Sequence, residues 1–329
     1  FFQAQDGIRD PLWSRGLGDV YKRQIPVMFI ITFLVFSLLW AVPGDPVYAY
    51  VGIDVVLDEE QLALLREKYN LNEPFLVQYF LWLQNVFQGD LGRSVESGLK
   101  VSEELMARAP VTFQLGLFAL IFAIIVSVPA GILSAVYRGK APDHAATFFS
   151  IGAVAIPDFW LGIVSILVFS VALGWLPTQG YVDPFEDPIQ GLRHLVLPSF
   201  ALGCTSCALI MRQTRSAMLE VLAQDYIRTA RSKGLYELRI IFVHALQNSL
   251  LPVVTILGLQ AGRIFASAIV VETLFGLPGM GTFVVDGVLG RDFQVVQGSV
   301  LLMAFMVLFC NLITDILYAW LDPRIKYEG

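Results

Sequence analysis

Residues 111–137 read VTFQLGLFALIFAIIVSVPAGILSAVY, with no charged side chain anywhere in the run. At about 1.5 Å rise per residue, such a stretch crosses the ~30 Å hydrocarbon core of a bilayer as one helix. A helix satisfies its backbone hydrogen bonds internally, which lipid demands of any spanning segment. The run therefore predicts a transmembrane helix, and the same reading extends outward along the chain.

Five further runs carry the same signature: Ile25–Val42 (IPVMFIITFLVFSLLWAV, slightly short), about Ala145–Leu173, Leu195–Met211, Ser249–Val271 and Val295–Trp320. Composition agrees, because only 15% of the 329 residues are charged and 56% are hydrophobic. Soluble domains carry about 25% charged residues. The expected fold class is an all-α polytopic membrane protein with six transmembrane helices.

Charge placement says more than the net value of −6. Arg138 and Lys140 follow the second run; Arg212, Arg215, Arg228, Arg231, Lys233 and Arg239 follow the fourth; Arg324 and Lys326 lie in the tail. On the other side, Arg193 stands among Asp183, Glu186 and Asp187, and Arg291 stands alone. The basic loops are expected in the cytoplasm, with both termini there.

The expected divisions follow. Residues 1–24 (FFQAQDGIRDPLWSRGLGDVYKRQ) lack apolar periodicity, resemble translated adapter read-through, and are set outside the fold as a non-native leader. The first span is 25–42, an external helical segment is 43–109, the core transmembrane region is 110–321, and the cytoplasmic tail is 322–329. Within the external segment, DEEQLALLREKYN (58–70) predicts an amphipathic helix with Leu62, Leu65 and Tyr69 on one face. PFLVQYFLWLQNVF (74–87) predicts a second, interfacial helix starting at Pro74, and GDLGRS (89–94) a turn. Cys204, Cys207 and Cys310 all lie in apolar runs, and the Cys204–Cys207 pair lacks a second ligand pair, so packing between helices is expected of them rather than metal binding.

The loop after the fourth run, DYIRTARSKGLYELRIIFVHALQNSLLP (225–252), predicts a short helix over 225–233, a break at Gly234 and a second helix from about 235. A rigid knob that docks in a partner's groove and an ordinary basic loop fit these residue types equally. Inside the spans, ionisable residues are scarce. Arg263 is expected to face a pore or a partner, or to pair with Asp315, and Glu272 precedes an outer turn, FGLPGMG (275–281), that could line the entry. Pro129, Pro157 and Pro198 mark bending points. The chain has no GxxxxGK[ST], so ATP hydrolysis by a phosphate-cradling loop is not expected of it.

The 225–252 loop resembles the coupling loop of importer-type ABC permeases, in the form found in the dipeptide, oligopeptide and nickel group. Arg228-Thr229-Ala230 stands at the place of that loop's name-giving Glu-Ala-Ala triplet, and Gly234 at its glycine; the literal triplet is absent, as is usual in the peptide subgroup. VPGDP (42–46), LREKYNLNEPFLVQYFLWL with GDLGRS (65–94), VVETLFGLPGMG (270–281), RDFQVVQG (291–298) and LDPRI (321–325) are similar to further signatures of the group, in the same order. The resemblance implies the MetI-like permease fold with a helical external insertion. It also implies ATPase-coupling roles for Asp225, Tyr226, Arg228, Thr229, Ala230, Lys233 and Gly234 within a loop spanning 213–248, and leaves Arg263 and Glu272 as candidate pathway residues.

By the same resemblance the chain is the permease subunit of a binding-protein-dependent importer of di- or oligopeptides in a bacterial or archaeal inner membrane. Its implied partners are a second homologous permease subunit in a heterodimer, two ABC ATPase subunits that use ATP-Mg, an extracytoplasmic substrate-binding protein and the lipid bilayer, with no nucleic acid. The chain itself is then not an enzyme and binds no cofactor or metal. Nickel-chelate and glutathione importers share the scaffold. An ion-coupled secondary transporter and a membrane scaffold without a pathway are the readings from other classes; the scarcity of intramembrane carboxylates weighs against proton coupling.

Overall fold

The computed structural model describes residues 17–41, 44–52 and 55–321. Residues 1–16 of the leader, Val42 and Pro43 of VPGDP, and LDPRI beyond Leu321 with the tail lie outside the described residues. In chain order the helices are α1 (Leu17–Ala41), α2 (Tyr48–Val51), α3 (Glu59–Lys68), α4 (Phe75–Phe87), α5 (Val101–Val136), α6 (Ala141–Ala155) and α7 (Asp158–Ser165), which continues as a π-helical stretch (Ile166–Ala172). They are followed by α8 (Pro188–Leu222), α9 (Asp225–Ser232), α10 (Glu237–Arg239), α11 (Leu246–Phe275), α12 (Met280–Leu289) and α13 (Phe293–Leu321); a π-helical Ile240–Ala245 joins α10 to α11.

The six expected spans each fall in one helical unit. Four are long and apolar enough to cross a membrane outright: α5, α8, the continuous run Glu237–Phe275, and α13. The third expected span is a broken one, because α6 and α7 meet at 104°. Ile156 takes extended angles (φ −94°, ψ 128°) ahead of Pro157, whose ring disfavours helix in the preceding residue and which has no N–H to donate. Pro129 and Pro198, by contrast, stay inside the continuous helices α5 and α8. The apolar part of the first span, Gln24–Trp40, is the shortest. It covers about 26 Å at 1.5 Å per residue.

Two boundaries differ from the expectation. Helix α1 starts at Leu17 rather than Ile25, so part of the segment set aside as a leader extends the first helix, since each added residue contributes one hydrogen bond once a helix is nucleated. Helix α5 starts at Val101 rather than Val111, so the external segment closes at Lys100. Glu103, Glu104, Arg108 and Pro110 read as loop residues, yet they sit on the first turns of α5. Those turns are held by tertiary packing, with Val101 and Leu105 buried against Phe283, Val284 and Val295. At 36 residues α5 is about 54 Å long, well over the hydrocarbon thickness.

The interior is built where α5 lies against α8. A Cβ on Gly203 would come within 2.6 Å of the Ala119 carbonyl oxygen, and one on Gly131 within 2.7 Å of Thr214 Cβ and 2.8 Å of the Met211 oxygen. Only glycine allows the two backbones so close, the usual solution where lipid offers no hydrophobic drive between helices. The α8 run Ala201–Ala208 is buried throughout, Cys204 and Cys207 included, so the pair sits in helix packing as free thiols. Helix α4 lies along α1 through an aromatic cluster: Phe33, Phe36 and Trp40 meet Phe75, Tyr79 and Trp82, and Thr32 Oγ1 is 2.8 Å from the Tyr79 hydroxyl.

Candidate functional site

The chain leaves α8 at Leu222, turns through Ala223 and Gln224, and enters α9 with Asp225 in its first turn and Arg231 in its last, the placement that suits the helix dipole. Its end is a Schellman closure: the Gly234 N–H donates to the Arg231 carbonyl (2.9 Å) and the Leu235 N–H to the Ala230 carbonyl (3.3 Å). Gly234 takes φ +76°, which an L side chain adopts only under strain, although the space around its Cβ is open.

Helix α9 rests on a small core of its own. Ile227 and Ala230 point down onto Ile132 and Ala135 of α5, Met218 of α8, and Ile240, Ile241 and Ala245 of the π-helical stretch. Burying the Ile227 side chain fully contributes about 1.5–3 kcal/mol to this docking. Arg231 forks onto Glu237, with Nη2 to Oε1 at 2.7 Å and Nε to Oε2 at 3.3 Å, and ties α9 to the helix that follows. The Glu237 carboxylate correspondingly holds the Arg231 guanidinium above its ordinary value.

Of the residues expected to couple, Asp225, Tyr226, Arg228, Thr229, Lys233 and Gly234 are exposed. Arg228 reaches Asp225 at 3.3 Å one turn away, an exposed pair that adds little stability and leaves both free to re-pair. The Tyr226 hydroxyl accepts from Asn248 Nδ2 at 3.1 Å. Ala230 does not join this face. It is buried, and its small side chain lets α9 approach the platform rather than meet a partner.

Beside the platform stands a cluster that residue types alone did not mark. The Asp143 carboxylate, almost fully buried, accepts from Arg215 Nε (2.6 Å) and Nη2 (3.0 Å), from Ser134 Oγ (2.6 Å) and from the Gly139 N–H (2.9 Å). The clasp joins α5, the turn after it, α6 and α8. Arg215 counted in the sequence only as one basic charge among several, and nothing local distinguishes Asp143 from any acidic residue opening a helix.

At the opposite end of the bundle Glu272 is fully buried. It accepts from Thr112 Oγ1 (2.6 Å), the Gly281 N–H (2.7 Å) and the Thr282 N–H (3.2 Å), while the Met280 N–H donates to Thr112 Oγ1 (2.9 Å). Glu272 thus caps α12 from across the turn and satisfies donors that a helix start leaves open. A Cβ on Gly281 would lie 2.5 Å from Ile269 Cα, which explains the glycine there. Arg263 is exposed on α11, on the face that also carries Leu259 and Val270. Among the described residues it forms no ion pair within 4.0 Å, so the expected alternative of pairing with Asp315 does not hold.

Comparison with known proteins agrees with this arrangement. Residues 127–327 match the model of the binding-protein-dependent transport system inner membrane component, and residues 20–116 match the N-terminal model of the same kind of membrane component. The chain is 39% identical over 324 residues to the di/tripeptide transport system permease protein DppB of Pseudomonas aeruginosa strain UCBPP-PA14, and 45% identical over 307 residues to the oligopeptide transport system permease protein AppB of Bacillus subtilis strain 168. It is 40% identical over 327 residues to the dipeptide transport system permease protein DppB of Escherichia coli K12, and each of these similarities covers 92% of this chain and 96% of the relative. Among solved structures, an inward-facing form of the MetNI methionine ABC transporter is similar with a TM-score of 0.55 at 17% identity, covering 66% of this chain and 96% of that one; this likeness shows the fold. With most of its length matched in these ways, the chain belongs to the family of binding-protein-dependent transport system inner membrane components.

Proposed function

We propose that this chain is the permease subunit of an ATP-driven importer of di- and oligopeptides, forming one half of the translocation pathway. The carrying observation is similarity along 92% of the chain to permeases named for di/tripeptide, dipeptide and oligopeptide transport. In this reading the other half of the pathway is a homologous permease, a binding protein delivers the peptide from outside, and two ATPase subunits use ATP-Mg on the cytoplasmic side. Both termini lie in the cytoplasm with α9. The chain has no catalytic residue of its own.

The geometry of α9 supports a coupling role. Its polar face, with Asp225, Arg228, Thr229 and Lys233, is free, and its apolar face is anchored to α5, α8 and the root of α11. A push on the helix therefore moves the ends of three spans together. Arg263, a cation on an uncovered face of α11, is costly against lipid and is assigned to the pathway or the second permease.

The test is uptake of a labelled dipeptide into vesicles holding the full complex, with and without the ATPase subunits. Uptake should require the ATPases. Gly234→Val should leave membrane insertion intact and lower ATP-dependent uptake about 5- to 30-fold, because the left-handed backbone there is strained by about 1–2 kcal/mol for a side chain. Uptake that persists without any ATPase subunit refutes the reading. Uptake of a nickel chelate or glutathione in place of the dipeptide refutes only its substrate part.

A further inference from the structure

A cavity of about 440 Å³ opens at the α12 end of the bundle, between α1, α4 and the 89–100 turn. Its floor is Phe36, Trp82 and Leu91, and three cations, Lys68, Arg93 and Lys100, stand around it with one carboxylate, Asp90. Lys100 is held by Glu103 at 3.2 Å. Among the described residues neither Lys68 nor Arg93 makes an ion pair. Lys68 sits over the ring of Tyr69, 5.3 Å from its centroid, and Arg93 Nη1 donates to the Gly98 carbonyl at 3.2 Å, so both are positioned without being neutralised. Asp90 Oδ1 accepts the Gly92 N–H at 2.9 Å, and the three cations outnumber this one carboxylate.

A second cavity of about 530 Å³ lies beside the first, and Leu91 lines both. It runs between α1, α4, α5 and α13, and its walls are apolar, among them Met28, Met106, Leu302 and Phe305. Met106 is 70% exposed and Phe305 50%, on uncovered apolar helix faces. Trp82 lines the first cavity and stacks on Tyr79 with ring centroids 6.3 Å apart, and these are side-chain types that settle at the headgroup level of a bilayer.

We propose that the two cavities form one binding site for an anionic glycerophospholipid of the leaflet at the α12 end. An acyl chain lies in the apolar groove, and the phosphate sits against Lys68 and Arg93. Three features select this occupant. The apolar groove opens on exposed apolar side chains, the cavity beside it carries an excess of cations, and Trp82, an interfacial residue type, lines that cationic cavity. The shared chemistry is a phosphate anion, which a lipid or a soluble phosphate monoester could supply, and the continuous apolar groove favours the lipid.

The test is native mass spectrometry of the full chain in detergent, with phosphatidylglycerol or phosphatidylcholine of the same acyl chains added, and glycerol 3-phosphate as a separate competitor. Wild type should retain phosphatidylglycerol over phosphatidylcholine. Each basic residue near the headgroup is worth about fivefold in affinity, so the double variant K68Q/R93Q should lose about 25-fold for phosphatidylglycerol and clearly less for phosphatidylcholine, whose choline cation already offsets its phosphate. Lys68→Gln alone, which leaves the 89–100 turn untouched, should lose about fivefold. Met106→Trp, which narrows the groove, should lower retention of both lipids. Equal retention of phosphatidylglycerol by wild type and the double variant would overturn the site. Displacement of the lipid by glycerol 3-phosphate would overturn the lipid and leave a soluble anion in its place.

Discussion

Replacing Asp143 with Asn keeps the side chain's shape and removes its charge. In the wild type, Arg215 Nε and Ser134 Oγ converge on Oδ1 at 2.6 Å each, while Arg215 Nη2 and the Gly139 N–H reach Oδ2 at 3.0 and 2.9 Å. An amide offers one acceptor oxygen, so in either orientation two of the four donors face an NH₂ group. Removing one partner of a buried pair destabilises by about 3–5 kcal/mol. The Arg215 side chain is 30% exposed, and water takes up part of the freed guanidinium, which brings the expectation to about 3 kcal/mol. The assay is reversible unfolding in mixed micelles of wild type, D143N, R215Q and the double variant. A coupling energy of at least about 1.5 kcal/mol between the two positions is expected. Additivity within about 0.5 kcal/mol would refute the clasp. Because Ala135 and Met218 of the α9 platform lie within a turn of Ser134 and Arg215, D143N should also weaken ATP-dependent uptake in the assembled complex.

Two further expectations follow. Glu272→Ala leaves the buried Gly281 N–H and the half-buried Thr282 N–H without their acceptor. It should lower stability by about 2–4 kcal/mol in the same unfolding assay; a changed KM for peptide with unchanged stability would instead return Glu272 to the pathway. Partial burial alone would raise the Asp45 carboxyl, but the Arg66 guanidinium and the Val47 N–H outweigh it and hold Asp45 below the usual carboxylate value. A depressed folded value means stabilisation that is present above the unfolded value of about 4 and is lost as pH falls through the folded one. The gap in unfolding temperature between wild type and Asp45→Asn should therefore close on acidification, and a gap independent of pH would count against the Asp45–Arg66 link.

The spans were legible because lipid imposes one rule on every residue that faces it, and the rule is written in composition. Capping was legible for a similar reason, since it is local. Asp58 and Gln61 form a reciprocal capping box at the start of α3, at 2.7 and 3.2 Å, where the acidic cluster of 58–60 predicts a helix N-terminus. Gly234 likewise stands at the left-handed position where the loop breaks. The start of α5 was not legible. Glu103, Glu104, Arg108 and Pro110 argue locally for a loop, and only packing of Val101 and Leu105 against α12 and α13 keeps the helix going. Proline showed the same dependence on context: Pro157 breaks its span by 104°, while Pro129 and Pro198 are absorbed.

At the site, the exposed helix and its glycine stop could be read from residues 225–234 alone, because their basic and small side chains and the periodicity around them are local properties. Which side of that helix is free was decided by the tertiary structure, which buries Ala230 and leaves Arg228 and Lys233 outside. The same holds for the carboxylates. Asp143 and Glu272 are single acidic residues in the sequence, and their roles depend on donors 72 residues away at Arg215 and 160 away at Thr112. A carboxylate's function is set by the donors that converge on it, and where those donors come from distant segments only the folded chain brings them together.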